Sequence, residues 1–194
     1  MRLLRLLVVL LLAAVPAAGA SDPASFVTQL GEKTLDIINK KPPKPERDQR
    51  FRSVLREGFD MESLSRFVLG PHWRTASDAQ KKEFMKLFED WIVSAYGERF
   101  SQYSGEQFKV VGQRPESAAV TLVTSQIVRP NGGPPIKVDW RVAKQGNEYR
   151  ISDVVVEGIS LMVTQRQEFA SVIQRNGGQL EALLKILRQK TQQG

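Results

Sequence analysis

Two carboxylates that flank a run of valines are the residues best placed for acid–base chemistry in this 194-residue sequence. Asp153 and Glu157 enclose Val154–Val156, and a spacing of four residues in a strand places both side chains on one face. Such a pair could hydrolyse glycosides, with one carboxyl group acting as the acid and the other as the base. The alternative role is structural, as a rim interaction or a hydrogen bond that fixes the turn before Gly158. We expect the structural role.

The single histidine and the absence of cysteine exclude most other catalytic and metal sites. His72 lies between Pro71 and Trp73 in a predicted loop, and Gly158–Leu161 lacks the second glycine of a nucleophile elbow. Without cysteine there is no disulfide, no cysteine-based zinc or iron–sulfur site and no thiol nucleophile. The sequence also lacks a P-loop and a dinucleotide fingerprint. It therefore predicts a protein that is not an enzyme and has no metal and no cofactor.

The N-terminus has the pattern of a secretory signal peptide. Arg2 and Arg5 flank the start of an apolar run, Leu6–Val15, which is shorter than the roughly 20 residues that span a bilayer. The small residues Ala18–Ala20 follow, so we predict a cleaved signal peptide of residues 1–20; an uncleaved membrane anchor is the alternative. Its removal leaves 174 residues and, because it takes two arginines with it, lowers the net charge from +7 to +5.

Export changes the meaning of the positive charge, which comes from 28 Lys and Arg against 21 Asp and Glu. An exported protein rarely meets nucleic acid, and the basic residues do not form a stripe with interleaved aromatic residues, so we predict no nucleic-acid binding. Anionic lipid headgroups and acidic proteins become the expected targets. The lysines of a stiff connector, Lys40–Pro45, could bind headgroups or belong to a solvated linker.

The elements that must position any ligand begin with helices over residues 22–104. Apolar residues at helical spacing predict helices over Asp22–Asn39, Glu46–Phe59 and Met61–Val68. The strongest helix starts at a capping box, Ser77–Gln80, and continues with a wide apolar stripe that is rich in aromatic residues. Such a stripe means either that the helix is central to the core or that one flank faces something apolar that is not protein.

After this helix the apolar period changes to two, which predicts an antiparallel sheet over residues 105–158. Helices return over residues 163–190, the first with a capping box at Thr164 and Gln167. We therefore predict a single α+β domain over residues 21–194, in which a twisted antiparallel sheet of about four to five strands is wrapped by helices. A curved sheet wrapped by helices is a natural container for an apolar ligand.

Three stretches of the sequence resemble a known family. They are Phe59–Gly70 with Trp73-Arg74 after it, the aromatic-rich run Phe84–Gly105, and Ile151–Leu161 with the helix that follows it. Together they resemble the MlaC family, also called the toluene-tolerance or ABC-transporter auxiliary family, over nearly all of the exported chain. The hopanoid-associated HpnM proteins are similar, and the Thr164–Arg166 opening of the late helix leans toward MlaC.

The resemblance implies a soluble periplasmic carrier that shuttles phospholipid between an outer-membrane lipoprotein–porin complex and an inner-membrane ABC transporter complex. Such a carrier maintains the lipid asymmetry of the outer membrane. The fold implied is NTF2- or cystatin-like, a twisted antiparallel sheet with helices around a deep apolar cavity, and it carries no catalytic motif. We expect a monomer that has bound phospholipid as its ligand and contacts membranes transiently.

We expect the wall of the lipid site to consist of apolar and aromatic side chains, at positions that transfer only approximately from the resemblance. The candidates are Trp91, Tyr96, Phe100, Trp140, Val154, Val156, Ile159, Leu161 and Val163. Each of them could instead belong to the protein's own core. Three other functions stay open: a hopanoid carrier, an envelope adaptor that binds only proteins, and a small hydrolase that uses Asp153 or Glu157.

Overall fold

The computed structural model of the chain describes residues 22–100, 103 and 105–193, and within them it has seven helices and five strands. The predicted signal peptide lies outside these residues. The helices are α1 Pro23–Lys40, α2 Lys44–Gly58, α3 Met61–Leu69, α4 Pro71–Thr75, α5 Asp78–Phe100, α6 Leu161–Arg175 and α7 Leu180–Gln193. The strands are β1 Gln107–Pro115, β2 Val120–Val128, β3 Ile136–Gln145, β4 Glu148–Val156 and β5 Ile159–Ser160. Helices that precede and follow a single antiparallel sheet along the chain confirm the predicted α+β class.

The strands form one antiparallel sheet in which their spatial order is also their order along the chain. Directly paired residues point to the same face, so the register places Val123, Trp140 and Val154 side by side. The same face carries Val142 and Ile151 and packs against α1. We call it the helix-facing face of the sheet. The predicted meander is confirmed, and the predicted alternation of apolar residues becomes one face turned toward the helices.

The N-termini of α5 and α6 test the two capping boxes that the sequence predicts. At α5 the Ser77 N–H donates to Gln80 Oε1 at 3.0 Å and the Gln80 N–H donates to Ser77 Oγ at 3.2 Å, which confirms the predicted capping box. The predicted box at Thr164 and Gln167 is wrong. Instead, Ser160 Oγ accepts the Val163 N–H at 3.0 Å, and the helix begins at Leu161. Thr164 Oγ1 donates back to the Ser160 carbonyl at 2.9 Å, as a residue inside the first turn does.

The long helix α5 packs against α2, α3 and α7, so the interpretation that it is central to the core is confirmed. Phe84 and Phe88 on this helix are fully buried, and their rings contact Phe169 of α6 with centroids 5.8 Å apart in each case. No helix in the described ranges is long and apolar enough to cross a membrane.

The buried apolar side chains of the described residues form three clusters, whereas a domain of this size more often has one contiguous core. The helix cluster joins α3, α5, α6 and α7 and includes Leu64, Val68, Phe84, Phe88, Phe169 and Leu184. The sheet cluster joins α1 to the sheet and contains Phe26, Val27, Leu30, Val123, Val142 and Ile151. The hairpin cluster joins α1, α2 and α5 and contains Ile37, Ile38, Phe51, Leu55 and Val93.

Candidate functional site

The sheet contributes three of the predicted wall residues to its helix-facing face. Trp140 is paired with Val154, and Val156 follows Val154 by two residues and is paired with Val138. Trp140, Val154 and Val156 are all half-buried, whereas Val123 beside Trp140 is fully buried. The three predicted residues therefore lie side by side at the part of this face that the helices do not fully cover.

A buried hydroxyl fixes the orientation of the Trp140 indole. Trp140 Nε1–H donates to Ser125 Oγ at 2.8 Å, and Ser125 Oγ–H donates to the Val138 carbonyl at 3.1 Å. Ser125 is fully buried, and the Phe108 ring meets the indole edge-on with centroids 6.0 Å apart. The hydrogen bond and the ring contact together hold Trp140 as a rigid apolar plate.

The predicted wall residues on α5 lie in a different environment, against α6. The Trp91 ring is stacked on Phe88 at 6.2 Å and meets Phe169 edge-on at 6.1 Å, so Trp91 packs on the helix cluster. The Tyr96 ring is half-buried under the Arg99 guanidinium, 5.7 Å from the ring centroid. Burial raises the pKa of the Tyr96 hydroxyl, the charge of Arg99 opposes the rise, and Glu168 adds to it. The Phe100 side chain lies outside the described part of the chain.

The last three predicted residues form the corner between β5 and α6. Ile159 is 62% exposed and Val163 is 43% exposed, while Leu161 between them is half-buried. Ile159 is paired with Val156, so the corner continues the helix-facing face toward solvent. The structure thus divides the predicted residues into a sheet group, an α5 group and an exposed corner.

Four half-buried side chains pack against more than one cluster, and we call them the seam: Val54, Phe59, Met61 and Ile92. Phe59 packs against all three clusters, and its backbone forms a bridge with Ile151 of β4. The sequence patterns do not single out these residues for the site. The available signal was the Phe59–Gly70 stretch, which carried the family resemblance without a role for its side chains.

The two carboxylates considered for catalysis have separate structural roles. Asp153 accepts hydrogen bonds from Arg141 Nη1 at 2.7 Å, Ser160 Oγ at 2.7 Å and the Met162 N–H at 3.3 Å. Glu157 lies in the turn after β4 with a φ of 49° and accepts the backbone N–H of Lys137. Asp153 therefore anchors the start of α6 and Glu157 closes the turn, as the structural interpretation predicted.

The other polar groups of the described region do not assemble a reactive centre either. His72 lies in the short helix α4, whereas its position between Pro71 and Trp73 predicts a loop. No group of three or more His, Asp or Glu side chains among the described residues could hold a metal ion. Two surface pockets, of about 390 and 490 Å³, share Arg52, Lys86 and Asp90 and are lined mainly by charged side chains. Their linings do not suit an acyl chain.

An ion-pair network lies beside these pockets and ties α2 to α5. Glu89 is buried and accepts hydrogen bonds from Arg52 Nη1 at 2.5 Å and Arg56 Nη2 at 2.8 Å. Burial alone would raise the pKa of Glu89, but the hydrogen bonds from Arg56 and Arg52 outweigh it and hold the pKa below its ordinary value. The network fixes the helix that carries Ile92 of the seam.

Known proteins are similar to this chain in sequence and in fold. The model of the MlaC protein family matches residues 28–189. The intermembrane phospholipid transport system binding protein MlaC of Haemophilus influenzae is 20% identical over 185 residues, which cover 91% of this chain and 86% of that protein. The toluene tolerance protein ttg2D of Pseudomonas putida is 24% identical over 129 residues, 66% of this chain and 60% of that protein.

A solved structure shows the same fold. The phospholipid-binding protein from Ralstonia solanacearum, determined in complex with a phospholipid, superimposes with a TM-score of 0.79 at 20% identity. The superposition covers 89% of this chain and 98% of that one. The arrangement of the sheet and helices described above is therefore also found in a solved structure.

Proposed function

The chain belongs to the MlaC family, and from this premise we propose that it carries phospholipid between the two membranes of the cell envelope. In this function it would take up a lipid at one membrane and deliver it at the other, to or from an inner-membrane ABC transporter complex. An outer-membrane lipoprotein–porin complex would be its second partner. Traffic of this kind would maintain the lipid asymmetry of the outer membrane.

The observation that carries the proposal is the division of the core into three clusters with a half-buried seam between them. Protein interiors are normally packed as densely as organic crystals, whereas the seam side chains lie where clusters meet and stay half-buried. Phe59 contacts all three clusters and is still half-buried. Trp140 lies at the edge of the sheet cluster, and Ile92 lies at the edges of the helix and hairpin clusters. These surfaces are of the type that the acyl chain of a lipid would cover.

The free energy of burying an acyl chain explains why a carrier is needed. Each buried methylene contributes about 0.8 kcal/mol, so a chain of about 15 methylenes contributes on the order of 12 kcal/mol before the cost of ordering it. Such a lipid does not cross water by free diffusion at a useful rate. A protein that encloses the tails and leaves the headgroup in water needs few polar contacts, so we expect little selectivity among headgroups.

The proposed wall joins the seam to the side chains predicted from the sequence. On the sheet it consists of Trp140, Val154 and Val156, and on α5 it consists of Trp91 and Tyr96, with Phe100 next along the helix. Ile159, Leu161 and Val163 would form the mouth. None of these positions depends on a reactive group, and the roles of Asp153 and Glu157 in the fold leave no support for the hydrolase alternative.

The location and the partners follow from the same proposal. We propose that the signal peptide of residues 1–20 directs the chain to the periplasm, where it works as a monomer that touches membranes only briefly. The positive charge left after cleavage would favour acidic surfaces on membranes or envelope proteins. N-terminal sequencing of the exported protein tests the cleavage site, and Ser21 is the expected first residue.

Extraction of the natively purified protein with organic solvent, followed by mass spectrometry, tests the function. We expect about one phospholipid per protein, and a well-folded protein free of lipid would contradict the proposal. Hopanoid in place of phospholipid would favour the hopanoid alternative. Val154→Gln places an amide on the helix-facing face, whereas Val155→Gln places the same amide on the opposite face, where Val155 is paired with Asp139. We expect Val154→Gln to lose its lipid and Val155→Gln to keep it. The two variants should have equal thermal stability.

A further inference from the structure

A row of cations and aromatic rings crosses α3, α4, the first turn of α5 and the first turns of α6. The Arg166 guanidinium lies 5.2 Å above the Phe67 ring, and Arg66 and Lys81 each lie 5.9 Å from the centre of the Trp73 ring. Ring contacts of this kind hold a cation in place and leave part of its hydration shell in solvent. The row is a tertiary feature, because its members come from residues 66–81 and from residue 166, and the sequence alone did not show it.

The carboxylates near this row do not cancel its charge. Arg66 is paired with Glu62 at 3.1 Å, and Lys81 with the exposed Asp78 at 3.4 Å. Arg166 has no ion pair with a carboxylate in the part of the chain that the structure describes. Three cations therefore face two carboxylates, and the positive excess is centred on Arg166.

The exposed large apolar side chains of the described residues concentrate next to the same row. Phe67, Ile159 and Val163 are 40%, 62% and 43% exposed, and Val111 on β1 is the other member of the set. Val163 lies one helical turn before Arg166, so an apolar side chain and a cation project from the same side of α6. Arg166 in turn lies over Phe67, which joins the corner to the row.

We propose that this surface, which we call the α3–α6 strip, is the face that the protein lays on an anionic phospholipid bilayer. The inference rests on the proposed function and specifies where the carrier meets its membrane. Arg66, Lys81 and Arg166 face the phosphate groups, while Phe67, Ile159 and Val163 enter the boundary between headgroups and acyl chains. Exposed apolar residues beside cations are the pattern by which peripheral proteins bind lipid surfaces.

Continuity with the proposed lipid site favours a bilayer over an acidic protein as the occupant. Ile159 is paired with Val156, and Val156 lies on the helix-facing face beside Val154. A lipid that leaves the bilayer at the strip would therefore meet apolar side chains all the way to the seam. The few inserted side chains make the contact weak and reversible, which a carrier needs in order to leave the membrane again.

Flotation of the purified full-length exported protein with vesicles tests the strip. One set of vesicles contains phosphatidylglycerol and phosphatidylethanolamine, and the other contains phosphatidylcholine alone. We expect binding to the anionic set that weakens as salt is added. Arg166→Gln should reduce this binding about fivefold, since a cation near an anionic surface contributes about 1 kcal/mol. The double variant Ile159→Ser with Val163→Ser should reduce it by at least as much.

Matched controls exist on β1, the edge strand of the sheet opposite β5. Val111→Ser removes an exposed apolar side chain from β1, and Arg114→Gln removes an exposed cation from the same strand. Both controls should bind vesicles as the original protein does. The proposal is wrong if the original protein binds no vesicles or binds both sets of vesicles equally. It is equally wrong if the control variants lose as much vesicle binding as the strip variants. The proposal is also wrong if the strip variants bind vesicles as the original protein does and lose only their binding to an acidic protein.

Lipid content separates this proposal from the proposed function. Arg166→Gln should still contain phospholipid after purification, because Arg166 belongs neither to the seam nor to the proposed wall and mouth of the lipid site. Loss of vesicle binding with lipid retained supports both proposals. Retained lipid with unchanged vesicle binding overturns the strip alone, whereas an original protein without lipid overturns the carrier function itself.

Discussion

The helix cluster and the seam contain the same kinds of residues and are filled to different degrees. On α5, Phe88 is fully buried in the helix cluster, whereas Ile92, one turn later on the same helix, is half-buried in the seam. Phe88 is surrounded by rings, with Phe84 at 5.5 Å and Phe169 at 5.8 Å. The same helix therefore contributes one side chain to a fully buried core and another to a partly exposed apolar surface.

This difference assigns the two regions different work. The helix cluster is packed by the protein's own side chains and should supply most of the stability. The seam is apolar surface that the protein leaves incompletely covered, and the free energy of covering it is available to a ligand. A carrier needs both, because a site that gains its stability from the ligand would collapse when the ligand leaves.

Truncating one side chain of α5 in the helix cluster and one in the seam tests this difference most directly. Phe88→Ala should cost about 3–5 kcal/mol of unfolding free energy, because it leaves a cavity in a filled core. Ile92→Ala should cost about 1–2 kcal/mol, because the side chain is only partly removed from water. Urea unfolding measures both values, and mass spectrometry of bound lipid should show the larger loss in Ile92→Ala. Equal costs would mean that the seam is ordinary core.

The sequence predicted the elements well because their signals are local. Alternation from Ile136 to Val142 predicted β3, and the capping box of Ser77 predicted the start of α5. Trp140, Val154 and Val156 are three of the nine candidates for the lipid wall, and the antiparallel register places these three on one face. These predictions used a period or a cap, which depend on residues a few positions apart.

The parts that the sequence did not predict depend on residues far apart in the chain. Ser160 caps α6 because the chain turns back after β4 at Glu157-Gly158 and Asp153 of β4 accepts a hydrogen bond from the Ser160 hydroxyl, whereas the local sequence pattern favours Thr164. Phe59 belongs to the seam because α1, α5 and the sheet all reach it. The periodicity of apolar residues in the sequence does not show where elements that are far apart in the chain meet. The apolar pattern identifies a side chain that avoids water, and it does not tell whether protein or ligand covers it.

A smaller effect is expected from the ion pairs that hold α5 at the border of the two regions. Glu89→Gln removes the charge that Arg52 and Arg56 share and should cost about 1–2 kcal/mol at pH 7, less than a fully buried pair because Arg56 is exposed. Urea unfolding of both proteins at pH 7 measures this cost. Glu83→Gln, which breaks a bond to Arg188 on α7, is the control on the same helix and should cost less.

The pH dependence of the same variant checks the cause. The pKa of Glu89 is lower in the folded protein than in the unfolded chain, where it is about 4.3. Its contribution to stability is therefore present above that value and is lost as the pH falls through the folded pKa. The difference in stability between the original protein and Glu89→Gln should shrink between pH 7 and about pH 3. A difference that stays constant would contradict the role of the charge.

The contact of α1 with the sheet offers a test of how closely the sheet cluster is packed. A Cβ atom at Gly31 would lie 2.3 Å from the Phe108 ring, so the ring must move in Gly31→Ala. The cost of overpacking, about 1–3 kcal/mol, should exceed the gain of up to about 1 kcal/mol that alanine brings to a helix. Thermal unfolding should show a net loss of stability. A gain in stability would mean that the Phe108 ring can move without cost and that the sheet cluster is loosely packed there.

The smallest expected effect comes from two neighbouring hydroxyls on opposite faces of β2. Ser125→Ala removes the acceptor of the Trp140 indole and should cost about 1 kcal/mol, because a buried N–H loses its partner. Thr124→Ala removes a hydrogen bond to Asp139 at 2.6 Å on the other face, where water can replace it. Both variants lose one hydroxyl, but only Ser125→Ala frees the indole beside the seam. Lipid content should therefore fall in Ser125→Ala and stay constant in Thr124→Ala, and equal content in both would show that a fixed Trp140 is not needed to hold the lipid.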